Sequence, residues 1–432
     1  MDAVDTFELG LTNMSNPWLN KCRALDRYRW LLLRERHGVV GSAVRFIREV
    51  ARDWFWGMRA MRRLATSPQS QSCDFLLLQS SAKVIPLQRK RLLKNALVDR
   101  GYCLVETALP EPGEMLRQHM FCQPPFSTPA RYFLYAAHAQ WLVEHYQPRI
   151  LLNDRNGSLY SPFLRLALNA RQSLLVHLAH ATTVEGSRRL SMNDYDYYFL
   201  FGRSSLEALQ RRVLRFGRST AVLAGSHMID STYDLEPADP EMRTVLILGV
   251  GPDKEKEAGY QAAYELLRDW ARQHPEYRVL IKAHPRSQVS FWRQAAEELP
   301  QLTVLPPDCH LSAALQRASL VINIMSNAVI EAALARRPVI SVGVRGEQDI
   351  FGLQRFFGPC VVTVEALQVQ IAEAERSYMA AVQQSSAFAE FHLANGCVGV
   401  SSNIDALVAL LGHQPVPGCL QVIDSTVELA QC

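Results

Sequence analysis

The residues with the clearest chemical potential lie in Val279-Leu280-Ile281-Lys282-Ala283-His284-Pro285-Arg286, where an apolar run ends abruptly in cations and a histidine. Lys282 offers a point charge and Arg286 a planar fork. His284 offers a hydrogen bond, or a proton for a leaving oxygen. Pro285 cannot continue a strand ladder, so it fixes where the loop departs. A second apolar run, Leu320-Val321-Ile322-Asn323-Ile324, ends at Ser326-Asn327, with Glu331 four residues beyond Asn327. Ser326 or Asn327 is suited to cap a following helix, whose free N–H groups and positive dipole end favour a phosphate. Glu331, one turn in, is placed to accept hydrogen bonds from ribose hydroxyls. Two such strands ending side by side would gather these groups at the carboxyl edge of a sheet, where open α/β sheets bind ligands. The chemistry is recognition of a phosphorylated ligand. The competing reading is a basic surface turn at the first run, and a plain helix cap with a local ion pair at the second.

The elements that must position these residues follow a regular alternation. Strands are expected at 75–78, 102–105, 149–152, 174–177, 197–201 and 221–224, with helices at 87–99, 130–145 and 159–170 and one starting at 204. A second series begins with a strand at 244–248 and a helix at 255–273. Strands at 278–282, 302–305, 319–324 and 338–342 then alternate with helices at 289–298, 311–317 and 327–335. Helices at 364–380 and 402–411 close it. Helical segments between strands imply parallel βαβ units. The fold class is α/β, with two Rossmann-like domains facing a cleft. The divisions are a basic helical segment at 1–70, an acceptor-side domain at 71–230, a donor-side domain at 243–412 and a tail at 413–432. Residues 225–242, with Gly225, Pro237 and Pro240, are the expected linker.

Composition narrows the classes. The chain has 432 residues, 48% hydrophobic and 20% charged, with a net charge of only +4, so nothing calls for nucleic acid. No two of the nine cysteines are spaced as CxxC, which leaves a structural zinc site without support. The start, Met1-Asp2-Ala3-Val4-Asp5, lacks the pattern of a secretory signal, and no window approaches a membrane-spanning run. A reduced cytoplasmic compartment is the simplest inference. Residues 1–70 differ from the rest: Arg45, Arg48, Arg52, Arg59 and other arginines alternate with Trp30, Phe46, Trp54, Phe55 and Trp56. This pattern fits either an interfacial membrane helix or a helical appendage packed on the body with its arginines solvated.

The first half carries candidate bases. Asp154 follows a strand within Asn153-Asp154-Arg155-Asn156-Gly157; a plain turn is the bland alternative. His180 ends another strand with Thr182, Thr183 and Glu185 nearby. His177 and His180 point to opposite strand faces, so at most one lines a cleft. Asp194-Tyr195-Asp196 is formally a DxD, a pattern that elsewhere holds a metal under a diphosphate; here it precedes a strand, and no metal is expected. Gly249 and Gly251 form a lone GxG that can let a loop approach a ligand.

The Lys282-to-Pro285 strand end, followed by Ser326-Asn327, Glu331-Ala332 and Pro338-Val339-Ile340, resembles the donor half of GT-B glycosyltransferases. The nearest likeness is to capsule-type Kdo and sialic acid transferases and to CDP-glycerol glycerophosphotransferases. It spans roughly residues 75–410, although only short motifs carry it. The resemblance implies donor roles for His284, Ser326, Asn327 and Glu331; by their own chemistry Lys282, Pro285, Arg286, Gly249 and Gly251 join them as expected donor-binding residues. It implies catalytic roles for His284 and for Asp154 or His180. Leu175 to Thr183 is similar to the family's acceptor-side strand, with Ala181 where Gly is usual. The glycerophosphotransferases carry an acidic residue before a Ser-Ser pair, and Asp later. Met325-Ser326-Asn327 and Glu331 depart from that and favour a sugar donor.

The implied activity is metal-independent transfer of a CMP- or CDP-activated sugar, Kdo- or sialic-acid-like, with no cofactor. The acceptor would be a capsule or lipopolysaccharide glycan, or a lipid-linked glycan at the inner membrane surface. A CDP-alditol phosphotransferase, a non-catalytic GT-B scaffold and a sugar-nucleotide epimerase are the alternatives.

Overall fold

The computed structural model describes residues 16–65, 70–184, 186–288 and 290–424. Residues 1–15 at the start of the expected basic segment, 66–69, 185, 289 and the end of the tail therefore lie outside the described residues. In the first unit the strands are β1 (Cys73–Gln79), β2 (Leu104–Ala108), β3 (Pro148–Asn153), β4 (Leu174–Leu178), β5 (Tyr197–Leu200) and β6 (Arg218–Leu223). In the second they are β7 (Thr244–Leu248), β8 (Arg278–Lys282), β9 (Leu302–Val304), β10 (Leu320–Asn323) and β11 (Val339–Ser341), and β12 (Cys419–Asp424) follows near the end of the chain. The first sheet runs β12-β6-β5-β4-β3-β1-β2 and the second β11-β10-β7-β8-β9. All pairings are parallel except β12 with β6.

Parallel sheets need apolar cover on both faces, and the two-residue period of these strands supplies it. Leu76, Leu78, Leu151 and Leu175 enter one core, whereas Phe75, Leu77, Ile150, Leu152 and Val176 enter another on the opposite face. In the second sheet Val245, Ile247, Val279 and Ile281 face their own core. Leu246, Leu248 and Leu280 join the core that also holds Leu76 and Leu151, so one apolar layer is continuous between the units.

Three expectations change. The helix expected at 87–99 is a 3₁₀ turn, Ala82–Leu87, then a helix at Arg91–Asp99; Gln88 is left-handed at φ 49°, which no α-helix tolerates. The helix expected at 364–380 is two, Val364–Arg376 and Tyr378–His392. The boundary expected at 412 also moves, because the helix Gly399–Leu411 and β12 belong to the first unit. Ile404, Leu407 and Leu410 pack in the core that holds Leu93 and Leu97. By length and hydropathy the apolar span Tyr378–Leu411 could cross a membrane, yet here it is two helices that brace both units.

That brace rests on close backbone contacts. A Cβ on Gly202 would lie 2.4 Å from the carbonyl of His392, and one on Gly399 would lie 2.6 Å from the carbonyl of Ser226. Buried Asn403 donates from Nδ2 to the carbonyls of Ala224 at 3.0 Å and Gly225 at 3.1 Å. Buried Arg337 ties the linker to the second unit. Its guanidinium donates to the carbonyls of Glu236, Leu315 and Ala335, two of them at helix C-termini where a cation is favoured. Gly202→Ala is expected to cost about 1–3 kcal/mol of stability by urea titration, through overpacking. Gly113→Ala, in an open position of a short helix, serves as the near-neutral control.

Candidate active site

Ligands of open α/β sheets sit beyond the strand ends at the point where strand order reverses. In the second sheet that point lies between β7 and β10. Leu248, Lys282 and Asn323 end their strands side by side, since Leu248 pairs in register with both. A cavity of about 430 Å³ opens there, lined by Gly249, Gly251, Lys282, His284, Pro285, Ser326 and Asn327 among others. Seven of the expected donor residues are thus brought together. Gly249 packs tightly: a Cβ would lie 3.0 Å from Ala283 Cα, so a side chain there would press on the β8 end.

The His284 imidazole is held below its ordinary pKa range by partial burial and then by the Arg286 charge. Its Nδ1 accepts the Arg286 backbone N–H at 3.2 Å. A neutral ring accepting at Nδ1 carries its proton on Nε2, so His284 presents a donor. Lys282 Nζ donates to the Pro307 carbonyl at 3.3 Å and keeps further donors for an anion. Ser326 is held by its N–H donating to Asn323 Oδ1 at 2.9 Å, and Ser326 Oγ accepts from Ala328 N at 3.3 Å.

Three expectations at this site are corrected. The helix begins at Val329, its N-cap is Ala328, and neither Ser326 nor Asn327 caps it; they form the turn before it. Arg286 is exposed and does not line the cavity; its backbone N–H instead orients His284 by donating to Nδ1. Glu331 does not line the cavity. Its charge is felt instead by Tyr233 of the linker, and burial pushes its carboxyl up to about 7.

The first sheet reverses order between β1 and β3. A cavity of about 640 Å³ lies at those strand ends, lined by Ser80, Ser81, Lys90, Asp154, His180 and His227 together with Arg89, Arg155 and Arg189. Leu78, Asn153 and His177 stand level across the strands, so Asp154 and His180 leave the sheet on the same edge. His177 stays inside: it is buried between Asn153 Oδ1 at 2.5 Å and Asn156 Oδ1 at 2.8 Å and stacks on Tyr195. Its burial holds it well below its usual pKa. Only His180 of the pair faces the cavity.

The sequence reading missed Lys90. It is almost fully buried, lies 2.5 Å from Asp154 Oδ2 and donates to Gln79 Oε1 at 3.4 Å. Gln79 in turn donates to Glu106, which also receives Lys94. This chain holds Asp154 through Oδ2. It also missed His227, buried beside Phe201 with its pKa pushed down to about 3 by burial and by Lys90 and His180. Ser80 and Ser81 had a usable signal, since they follow β1 as His284 follows β8. Lys90 and His227 had none, since only tertiary contact gives them their neighbours.

The DxD serves structure instead. Asp194 is fully buried and takes Lys21 at 2.8 Å and Arg165 at 2.9 Å, while Asp196 takes Arg165 Nε at 2.9 Å. Among the described residues no group of three His, Cys, Asp or Glu is placed to hold a metal.

No protein-family model and no curated protein matches the chain. Among solved structures, a Listeria monocytogenes protein described as a UDP-N-acetylglucosamine 2-epimerase superposes at a TM-score of 0.53. It is 11% identical and covers 81% of this chain and 100% of its own. Another structure described as a UDP-N-acetylglucosamine 2-epimerase gives a TM-score of 0.51 at 11% identity, with the same coverage. At such identity the likeness is one of fold. The chain has the GT-B, glycosyltransferase-like fold: two Rossmann-like units facing a cleft, with a helical segment in front.

The Glu331 carboxyl sets a pH dependence. A carboxyl raised from 4.5 to about 7 in the folded state favours the protonated fold. Its contribution is complete below pH 4.5 and is lost as pH rises through about 7. Glu331→Gln is expected to raise the melting temperature relative to the parent above pH 7 and to leave the two alike at acid pH. A difference that is constant with pH would contradict this.

Proposed function

We propose that this protein is a glycosyltransferase that moves a sugar from a nucleotide-activated donor to a glycan hydroxyl. The observation that carries the reading is the pair of cavities at the two switch points. One is lined by phosphate-directed donors, the other by a fixed carboxylate and a histidine. The donor phosphate sits against Lys282, the His284 Nε2–H and the Asn327 N–H of the turn, whose neighbours Ser326 and Ala328 spend their own N–H groups within it. The acceptor hydroxyl sits at Asp154 and His180. Its oxygen bonds to the anomeric carbon as Asp154 Oδ1 or His180 takes its proton. The bond from that carbon to the phosphate oxygen breaks, and the electron pair leaves with the nucleotide. The charge developing there is met by donors already in place, which is where such sites gain most.

The finer reading, a CMP-activated Kdo- or sialic-acid-like donor and a surface-polysaccharide acceptor, rests on the resemblance of Lys282–Pro285 and Ser326–Glu331. Two of the proteins that share the fold are described as UDP-N-acetylglucosamine 2-epimerases, so UDP is the nucleotide to set against CMP. The same likeness makes epimerisation the second reading, and isomerised donor formed without acceptor would select it.

A thermal-shift panel with CMP, CDP, UDP, GDP and ADP tests the donor site. A selectively bound nucleotide at a hundredfold its Kd stabilises by about 2.7 kcal/mol, and His284→Ala is expected to abolish the shift. Cytidine selectivity supports the finer reading, and UDP selectivity replaces its nucleotide. CDP selectivity with transfer of an alditol phosphate selects the phosphotransferase. No shift with any nucleotide overturns the donor site and favours a scaffold.

Asp154→Asn and His180→Gln separate the bases. Loss of the true base is expected to lower kcat by about 10²–10⁴ while the nucleotide shift persists. Transfer is expected to survive EDTA, and abolition reversed by added divalent cation would contradict the metal-independent scheme.

A further inference from the structure

The helix Val39–Met61 is amphipathic in the unusual sense. Its inward face is small or polar: Ser42, Asp53, Gly57 and Ala60 are its buried residues. A Cβ at Gly57 would lie 1.7 Å from the Ala130 carbonyl, so this face presses backbone against the helix Ala130–Tyr146. Phe46 packs on Trp30, and Trp56 against the core, but a row of apolar residues points the other way. Val40, Val44, Ile47, Ala51, Trp54 and Phe55 recur at three- and four-residue spacing on one exposed face. Exposure of Val44 is 62%, Ile47 66%, Trp54 53% and Phe55 47%, which decides that this stripe is no part of the core.

Arg45, Arg48, Arg52 and Arg59 form a second exposed row along one border of the stripe. Among the described residues Arg45 and Arg48 have no ion pair, and Arg59 lies over the rings of Phe55 and Trp56. Glu49, the acid on the far side, is already paired with Arg29 at 3.0 Å. Arg52 contacts its neighbour Asp53 at 3.4 Å, so among the described residues Arg45 and Arg48 are the row's cations without an acidic partner. A bare apolar stripe bordered by these two matches the acyl–headgroup boundary of an anionic bilayer. The helix is held rigidly for this: Arg29 bonds Asp53 at 2.8 Å, and Asp26 of the preceding helix, Pro17–Arg34, accepts from Tyr132 at 2.8 Å.

We propose that Val39–Met61 is an interfacial helix that seats this protein on an anionic lipid bilayer. Its placement bears on the site. Arg52 and Trp56 line a groove of about 410 Å³ that shares Ser80, Glu111 and Arg155 with the Asp154 cavity. The seated helix thus brings the candidate acceptor side next to the headgroups.

The test is flotation of the full chain with vesicles of phosphatidylcholine alone and of phosphatidylcholine mixed with phosphatidylglycerol. The parent is expected to float with the mixed vesicles, less with the neutral ones, and less at high salt. Trp54→Glu with Phe55→Glu is expected to weaken binding by about tenfold or more. Arg45→Glu with Arg48→Glu is expected to remove the preference for the anionic vesicle. Both variants change exposed side chains, and unchanged thermal melts verify their folding. A parent that floats with neither vesicle, or variants that float like the parent, overturn the proposal. So does a parent dimer by light scattering that Trp54→Glu with Phe55→Glu makes monomeric without vesicle binding; the stripe then belongs to a second copy. The readout needs no substrate, so its failure leaves the transferase reading standing, and the reverse holds.

Discussion

Backbone meets backbone where the chain crosses back from the second unit to the first, and the arrangement of the molecule depends on that crossing. The helices Tyr378–His392 and Gly399–Leu411 approach the ends of β5 and β6 so closely that Gly202 and Gly399 have no room for a side chain. Three carbonyls there accept from the one buried amide of Asn403. A buried Nδ2 engaged this way is costly to disturb, because each carbonyl it leaves would be desolvated without that partner. The two sheets therefore share a fixed relation, and the cavity at each carboxyl edge inherits it.

The two cavities differ in how their polar groups are spent. On the first sheet the groups satisfy one another: Asp154, Lys90, Gln79, Glu106 and Lys94 form one chain of contacts. A buried ammonium is tolerated because its partners lie within bonding distance. On the second sheet Lys282 and His284 keep donors in reserve, with one weak carbonyl contact for the lysine and one backbone contact for the histidine. A preorganised carboxylate suits proton transfer, and unspent donors suit an anion that arrives from outside.

The front helices show the same economy turned outward. The helix Pro17–Arg34 packs onto the body through buried Trp18, Leu25 and Tyr28 and through Lys21 to Asp194, whereas Val39–Met61 packs through Gly57 against Ala130 and is tied to the first helix by Arg29 to Asp53. This packing leaves Val40, Val44, Ile47, Trp54 and Phe55 of Val39–Met61 outside, while Trp56 and Met61 pack against the core. The acidic pair Asp194 and Asp196 anchors this attachment through Lys21 and Arg165, which is why it is closed to other chemistry.

Local pattern alone determined a good deal. Strands Thr244–Leu248 and Arg278–Lys282 match their expected spans, because an uninterrupted apolar run bounded by polar residues has few other uses. The gathering of Lys282, His284 and Ser326 followed from strand ends in a parallel sheet, a relation that short-range order carries. Tertiary structure decided the rest. Pairing of Lys90 with Asp154, the buried place of His227 and the diversion of Glu331 towards Tyr233 join residues far apart in the chain, with no periodicity to announce them. The return of Gly399–Leu411 and β12 to the first unit was equally silent, since an apolar helix reads alike whichever sheet it covers. The outward face of Val39–Met61 belongs here too: its pattern specified a helix with one apolar side, and only packing of Gly57 and Ala60 set which side met solvent.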